Sequence, residues 1–304
     1  MKNLVVFRER WARWTVGEAF LKTFGVVCQK LVGSTTTLFA HTLWATMLVG
    51  VIQILLGAGS LSFQKKSFGD STRNIAGAVL FGLLAWNSTV LGFVTFWYEG
   101  EFGARVFVIT LSVVPGALID HFCFSNRLNF RQWSGVLVAI LAGFLVLGSP
   151  ALRKGIWIWF AFANMMTVAV NQGVTQAIKD IDPMRKNFYG GIVAVALGLV
   201  LLGVKFESKT FFTPEFTKLT AVSILTGLNV VFMWTLNVWA YKDGAYISLK
   251  KIVLNSGYLS MSMVIGVAFF GDAFAWGKIG GMGLFVLSLA LMDNELWKGK
   301  KKEV

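Results

Sequence analysis

Apolar runs long enough to cross a membrane recur along the whole of this 304-residue chain. A hydrocarbon layer about 30 Å thick takes about 20 residues of helix to cross. No water is there to satisfy backbone N–H and C=O groups, so only helices and closed barrels can occupy it. Ten such runs are read, at about 14–32, 36–57, 74–97, 103–122, 132–149, 155–177, 186–204, 218–240, 246–270 and 275–293. They are continuous and rich in Leu, Ala and Gly instead of alternating with period two, which selects helices over a barrel. With 56% hydrophobic and 14% charged residues and a mean hydropathy of +0.66, the chain lacks the polar surface a soluble domain needs. The expected fold class is an all-α membrane protein with ten transmembrane helices.

The chain also reads as a duplication. A shift of 145 positions carries Gly82-Leu83 onto Gly227-Leu228, Phe124 onto Phe269, Gly135 onto Gly280 and Arg105 onto Lys250. Ten spans then divide into 1–150 and 151–304, the second ending in a basic tail. Five spans is an odd number, so the second unit would sit inverted with respect to the first, giving two inverted five-helix repeats.

Lys and Arg set the expected orientation. With the N-terminus inside, the cytoplasmic segments hold Lys2, Arg8, Arg10, Arg13, Lys65, Lys66, Arg73, Arg127, Arg131, Lys179, Arg185, Lys186, Lys242 and the lysines at 298, 300, 301 and 302. The far side holds Lys30, Arg153, Lys154, Lys205, Lys209 and Lys218. Both termini are therefore expected in the cytoplasm, in a bacterial inner membrane, with an organelle membrane as the alternative. The net charge of +13 is read as this topology bias and lipid attraction, not as nucleic-acid binding. The first run carries Glu18 and Lys22 and no small-residue cleavage pattern, so it is expected to remain as a helix.

Enzyme chemistry has no foothold in the pattern. Walker-type phosphate loops, Ser/His/Asp arrangements and clustered Cys, His or carboxylate ligands are all missing from the sequence, so no metal and no cofactor are expected. Cys28 and Cys123 sit in apolar runs and are read as small packing residues. Pro115, inside the fourth run, is expected to kink or open that helix.

Polar groups within the runs mark a path, because charge in hydrocarbon is expensive and usually faces a water-filled cavity. At 100° per residue Lys251, Asn255, Tyr258 and Ser262 share a narrow face of the ninth run, with Lys250 a quarter-turn away. Two adjacent ammonium groups there call for an anion, unless both snorkel to headgroups. Arg105 shares a face with Ser112 and Gly116, and its alternative role is an interfacial contact with headgroups or with Glu99 or Glu101. In the first run Glu18, Lys22, Gly25 and Gln29 align. The i,i+4 pair Glu18 and Lys22 is read either as self-neutralising or as an ion-coupling element. Amide stripes run through the sixth run (Asn164, Thr167, Asn171, Thr175) and the eighth (Thr226, Asn229, Asn237), and either bond across helices or line the cavity.

The segments 103–148 and 244–291 each place a long apolar helix, a break and a Gly-bearing helix in order, and with them the chain resembles the drug/metabolite transporter superfamily, in particular its EamA-type members. That resemblance implies ten helices in two inverted repeats. Many members place a glutamate in the break, where this chain has Ser125-Asn126-Arg127 and Gly271-Asp272. Gly244-Ala245 followed by Lys250-Lys251, and Phe188-Tyr189-Gly190-Gly191, are similar to motifs of nucleotide-sugar transporters. The basic trio of Arg105, Lys250 and Lys251 is similar to that of triose-phosphate translocators. The resemblance implies anion binding at these positions, with Tyr189 near the substrate.

The expected function is alternating-access secondary transport of a polar, anionic organic metabolite such as a phosphorylated or nucleotide-linked compound. Lys250 and Lys251 would hold the anion, with Asn255, Tyr258, Asn171, Asn229 and Arg105 completing the site. The expected partners are that small molecule, the lipid bilayer and a proton or counter-substrate, in a monomer or homodimer. One alternative is a proton-coupled exporter of amino acids or amphipathic cations using Glu18. Another is a membrane scaffold or lipid-binding protein.

Overall fold

The computed structural model describes residues 9–35, 39–125, 128–147, 155–205, 214–245, 247–273 and 275–292. Within them lie eleven helices: α1 (Arg10–Thr35), α2 (Phe39–Phe63), α3 (Thr72–Trp97), α4 (Phe102–Thr110), α5 (Val113–Cys123), α6 (Phe130–Leu147), α7 (Trp157–Ala177), α8 (Pro183–Lys205), α9 (Pro214–Lys242), α10 (Ile247–Phe270) and α11 (Trp276–Met292). No strand occurs among the described residues. Lys2, Arg8, Asn126, Arg127, Arg153, Lys154, Lys209, the 150/151 boundary and the tail lysines at 298–302 lie outside them.

Among the described residues six stretches are long and apolar enough to cross a membrane: Phe39–Phe63, Thr72–Trp97, Phe102–Cys123, Pro183–Leu202, Phe216–Lys242 and Val253–Phe270. This is the pattern of an integral membrane protein. Four of the ten expected runs fall short, for two physical reasons. Polar side chains dilute α1 (Glu18, Lys22, Gln29) and α7 (Asn164, Asn171, Gln172), whereas α6 and α11 are apolar over 18 and 17 described residues.

Burial is inverted relative to a soluble domain. Phe130, Trp276, Phe269 and Phe144 are 73–88% exposed, while Glu18, Arg105, Asp120, Lys186, Lys250 and Lys251 are at most 2% exposed. Large apolar groups turned outward suit lipid, and buried charges must then be satisfied by one another.

The fourth expected run is broken into α4 and α5. In a continuous helix the ring of Pro115 would collide with the carbonyl of residue 111 and leave one hydrogen bond unmade. The chain tightens here into i→i+3 bonds, Ser112 N–H to Ile109 O at 3.1 Å and Val114 N–H to Leu111 O at 2.9 Å. It restarts with Pro115 in the first turn of α5, where a missing N–H leaves no helical bond unmade.

Other ends follow local chemistry. Asn129 and Gln132 cap α6 reciprocally, each side-chain oxygen accepting from the other's N–H at 2.9 Å. Gly244 and Gly271, at φ +97° and +67°, end α9 and α10 in the left-handed conformation that a Cβ disfavours.

Helices pack α2 on α8, α6 on α11, α1 on α9, α3 on α7, α2 on α9, α3 on α8, α1 on α10, and α4 on α10. The α2/α8 crossing rests on glycines. A Cβ built on Gly191 would lie 2.6 Å from the Gly50 carbonyl oxygen, and one on Gly50 would lie 2.9 Å from that of Gly191. Backbone contact of this kind supplies dispersion where the hydrophobic effect gives helices nothing. Gly191→Ala must separate the helices and is expected to cost about 1–3 kcal/mol. Gly59→Ala, where no atom lies within 4 Å, is expected to leave stability unchanged or raise it slightly. Thermal unfolding of the two variants in detergent checks the contrast.

At one end of the bundle the 64–71 connection is tied to the turn between α7 and α8. Lys66 pairs with Asp182 at 2.7 Å, Arg185 with Asp70 at 2.8 Å, and Tyr189 donates to the Phe68 carbonyl at 3.0 Å. Partial burial disfavours ionised Asp70 and Asp182, but hydrogen bonds outweigh it, from Asn74 and Arg185 on the first and Lys66 on the second. Both carboxyls are thus held below the ordinary carboxylate value. Groups with depressed folded values contribute stability that is complete above the unfolded value, near pH 4, and lost as pH falls through the lower folded one. A pH series from 7 to 3 is therefore expected to show a drop in melting temperature beginning below about pH 4 that is smaller in Asp70→Asn/Asp182→Asn.

Candidate functional site

Where α1, α3, α4, α7, α9 and α10 converge they line a partly open cavity of about 130 Å³. The α1 stripe read from the sequence faces it in full: Glu18, Lys22, Gly25 and Gln29 all line it, recurring at helical spacing. Opposite stand Asn164, Asn171 and Gln172 of α7, Thr226, Asn229 and Asn237 of α9, Arg105 of α4 and Tyr258 of α10.

One end of the cavity is neutralised internally. Glu18 Oε2 lies 2.7 Å from Lys250 Nζ, and Glu18 Oε1 accepts from Asn237 Nδ2 at 2.8 Å. Gln172 Oε1 gathers donors from Asn237 (3.1 Å), Tyr241 (2.7 Å) and Lys250 (3.3 Å), and the Lys250 ammonium lies 4.8 Å from the Tyr241 ring centroid. Glu18 is thus paired across helices with Lys250 and not along α1 with Lys22. The Lys22 ammonium instead lies 4.4 Å from the Tyr258 ring centroid.

The other end carries cation without carboxylate. Arg105, 2% exposed, donates from one terminal nitrogen to Gln29 Oε1 at 2.8 Å and rests 4.7 Å from the Phe96 ring centroid. Its Nε and Nη1 meet no acceptor within the protein. A buried guanidinium with two idle donors is costly by itself and matches a carboxylate or phosphate bidentately. Eleven residues of α1 separate Glu18 from Gln29, about 16 Å of helix, so the paired and idle cations mark opposite ends of one site.

Lys251 and Asn255 stand outside the cavity lining. Lys251 Nζ donates to both the carbonyl (2.8 Å) and the hydroxyl (2.7 Å) of Ser112, and Asn255 Nδ2 donates to the Thr110 carbonyl at 2.9 Å. One turn apart on α10, the two side chains supply donors to the α4/α5 junction: Asn255 to the Thr110 carbonyl, and Lys251 to the Ser112 hydroxyl and to a carbonyl that also accepts the Gly116 N–H. Lys251→Met is expected to lower stability by about 1–3 kcal/mol by stripping the donors from Ser112, while leaving ligand affinity within a few-fold. Paired melting and binding titrations check both halves of that statement. Tyr189 also lies away from the cavity, on Phe68 at the bundle end.

The beginnings of α4 and α10 are each capped by a carboxylate from another part of the chain. Asp272, after α10, accepts from the N–H groups of Phe102 (3.0 Å) and Gly103, and Asp120 of α5 accepts from Ser248 N–H at 2.6 Å. These caps satisfy otherwise unbonded helix N–H groups and favour the positive ends of both dipoles. Lys278 pairs with Glu101 beside the first of them.

Sequence reasoning placed Lys186 with the cytoplasmic charges. The structure buries it completely, its ammonium donating to Thr175 Oγ1 at 3.2 Å and lying 3.6 Å from the centroid of Phe81, a cavity-lining ring. Its position in the first turn of α8 is what made it read as a headgroup contact. Gln172 was also passed over, although it lies next to Asn171 and one turn before Gln176. Cys28 is buried as expected, whereas Cys123 is exposed on the outer surface. No group of three metal-ligating side chains occurs among the described residues.

No family model and no curated protein matches the chain. Among solved structures 27 chains match. One, described only as the crystal structure of a protein, superposes over 91% of this chain and 98% of its own with a TM-score of 0.62, at 14% identity. At that identity the likeness concerns the fold alone: this helical arrangement is one that a solved protein adopts over nearly its whole length.

Proposed function

We propose that the protein is a secondary transporter that binds a small organic anion in the central cavity and exposes it alternately to the two faces of the membrane. The observation that carries this reading is Arg105, buried in the cavity wall with two unpartnered guanidinium nitrogens, while Glu18, the carboxylate lining the same cavity, is occupied by Lys250. Lys22 adds a second cation to the lining. Anion binding thus moves from the Lys250–Lys251 pair to Arg105 and Lys22. Lys250 neutralises Glu18, and Lys251 supports the break.

Ten spans in two inverted five-helix repeats is the architecture we propose, with α4 and α5 as one interrupted span and α1, α6, α7 and α11 crossing as well. Helix starts support it: Arg10/Trp157, Phe39/Pro183, Thr72/Pro214, Phe102/Ile247 and Phe130/Trp276 are separated by 142–147 residues. Exchanging the halves also maps the packing on itself, α1 on α9 becoming α7 on α3, and α2 on α9 becoming α8 on α3. Arg105 and Lys250 are then equivalent, each the fourth residue of its helix. A central site between repeats, beside an interrupted helix, is where secondary transporters bind. Membership in the drug/metabolite transporter superfamily, a bacterial inner-membrane location and cytoplasmic termini belong to the same proposal, which includes no catalytic role. The proton-coupled exporter reading is weaker because Glu18 is held by both Lys250 and Asn237.

The experiment is a thermal-shift panel on purified protein with carboxylates, phosphate monoesters, nucleotide sugars, amino acids and lipophilic cations. A ligand that prefers the folded state raises its melting temperature. Small carboxylates or phosphate monoesters are expected to do so in wild type but not in Arg105→Gln. Stabilisation by lipophilic cations alone would contradict the proposal.

A further inference from the structure

Three asparagines of the cavity lining leave acceptors unmet. Asn171, Asn229 and Asn237 are 3–8% exposed, and each leaves its amide oxygen without a hydrogen-bond partner in the protein. The orientation of all three amides is dictated by what the nitrogens touch. Asn229 Nδ2 donates to the Leu21 carbonyl at 2.9 Å, Asn237 Nδ2 to the Glu18 carboxylate at 2.8 Å, and Asn171 Nδ2 to the Phe81 carbonyl at 3.4 Å. Carbonyls and carboxylates only accept, so turning any amide over would set oxygen against oxygen. The three oxygens are therefore acceptors that only a solute or water can satisfy.

A group that donates to them is a hydroxyl or an ammonium, and charge decides between the two. Around one carboxylate, Glu18, stand Lys22 and Arg105 in the lining, Lys250 on Glu18 and Lys186 on Phe81. A further positive charge in that surrounding is repelled, whereas a hydroxyl donates without adding charge. Dimensions set the size. Asn229 approaches α1 at Gly25, where a built Cβ would be 3.0 Å from its Nδ2, and Gly25 lies four residues, about 6 Å, from Gln29 and the Arg105 level. A chain of three to six carbons covers that distance.

We infer that the ligand is a short hydroxylated acid, its acid group on Arg105 and Lys22 and a hydroxyl donating to the amide oxygen of Asn229, the unmet acceptor at the Gly25 level. The inference rests on the anion-transporter reading and adds the ligand's other end. It discriminates against amino acids, which carry an ammonium, and against deoxygenated acids, which leave buried acceptors unmet. The discrimination against a deoxy analogue is expected to be about tenfold or more.

Binding titrations with matched pairs test it: D-glycerate against propionate and against L-serine, D-threonate against butyrate, and glycerol 3-phosphate against propyl phosphate. The expected result is that each hydroxylated acid binds at least about tenfold tighter than its deoxy partner, and glycerate tighter than serine. Whichever of the carboxylate and phosphate series binds more tightly identifies the acid group. Asn229→Ala, which removes the acceptor at the Gly25 level, is expected to narrow the glycerate-to-propionate ratio while leaving propionate affinity unchanged. Equal affinities within the pairs, a preference for serine, or an unchanged ratio in Asn229→Ala would overturn the inference while leaving anion binding standing. If no acid in either series binds the wild type, the anion reading itself fails and takes this one with it.

Discussion

Replacing Arg105 with Gln is expected to reduce anion affinity at least about a hundredfold while leaving the melting temperature unchanged or higher. A catalytic-style loss accompanied by stabilisation is unusual, and it follows from what Arg105 touches. Its one protein hydrogen bond, to Gln29, can be remade by a glutamine amide, whereas its Nε and Nη1 have nothing to lose in the empty protein. Removing them relieves about 1–3 kcal/mol of unsatisfied desolvation. In the bound state the same two nitrogens make charge-assisted bonds to the acid group, and deleting one member of a buried charge pair typically costs about 2–5 kcal/mol. Melting curves with and without ligand separate the two effects. Lower stability together with unchanged ligand-induced shift would assign Arg105 a structural role.

The second large effect concerns the buried pair at the other end. Glu18→Gln leaves the Lys250 ammonium with Gln172 Oε1 at 3.3 Å and the Tyr241 ring, and Lys250→Met leaves the Glu18 carboxylate with Asn237. Either single change strands a charge inside the bundle and is expected to destabilise by about 3–5 kcal/mol. The double variant Glu18→Gln/Lys250→Met strands neither, and is expected to recover most of that loss, because a buried pair against an uncharged replacement is close to neutral. A four-member cycle of thermal unfolding measures the coupling. Two neutral single variants would mean that the groups are not charged together in the folded protein.

Much of this site was legible from periodicity. The Glu18, Lys22, Gly25, Gln29 stripe lines the cavity, as do Thr226, Asn229 and Asn237, whereas of the stripe Asn164, Thr167, Asn171, Thr175 only the two asparagines do, Thr167 and Thr175 accepting from Asn87 and Lys186. The α4/α5 break was legible in Pro115, to within a turn. Partner choice was not legible, because it depends on which helices face one another. Spacing along α1 offers Glu18 the neighbouring Lys22, but α10 delivers Lys250 to it at 2.7 Å. The same crossing turns Lys251 and Asn255 onto Ser112 and Thr110, so a face that looked like a substrate wall on one helix is a set of donors for the α4/α5 junction. Lys186 was hidden by its position in a helix's first turn, where a lysine normally reaches the headgroups. Here the side chain turns inward onto Phe81.

The most direct measurement is uptake into proteoliposomes containing the purified protein, using radiolabelled glycerate and glycerol 3-phosphate with the unlabelled compound inside. The account predicts saturable counterflow of at least one of the two, absent from protein-free liposomes and lost in Arg105→Gln. Uptake that matches empty liposomes for both solutes, or uptake that Arg105→Gln leaves intact, would contradict it.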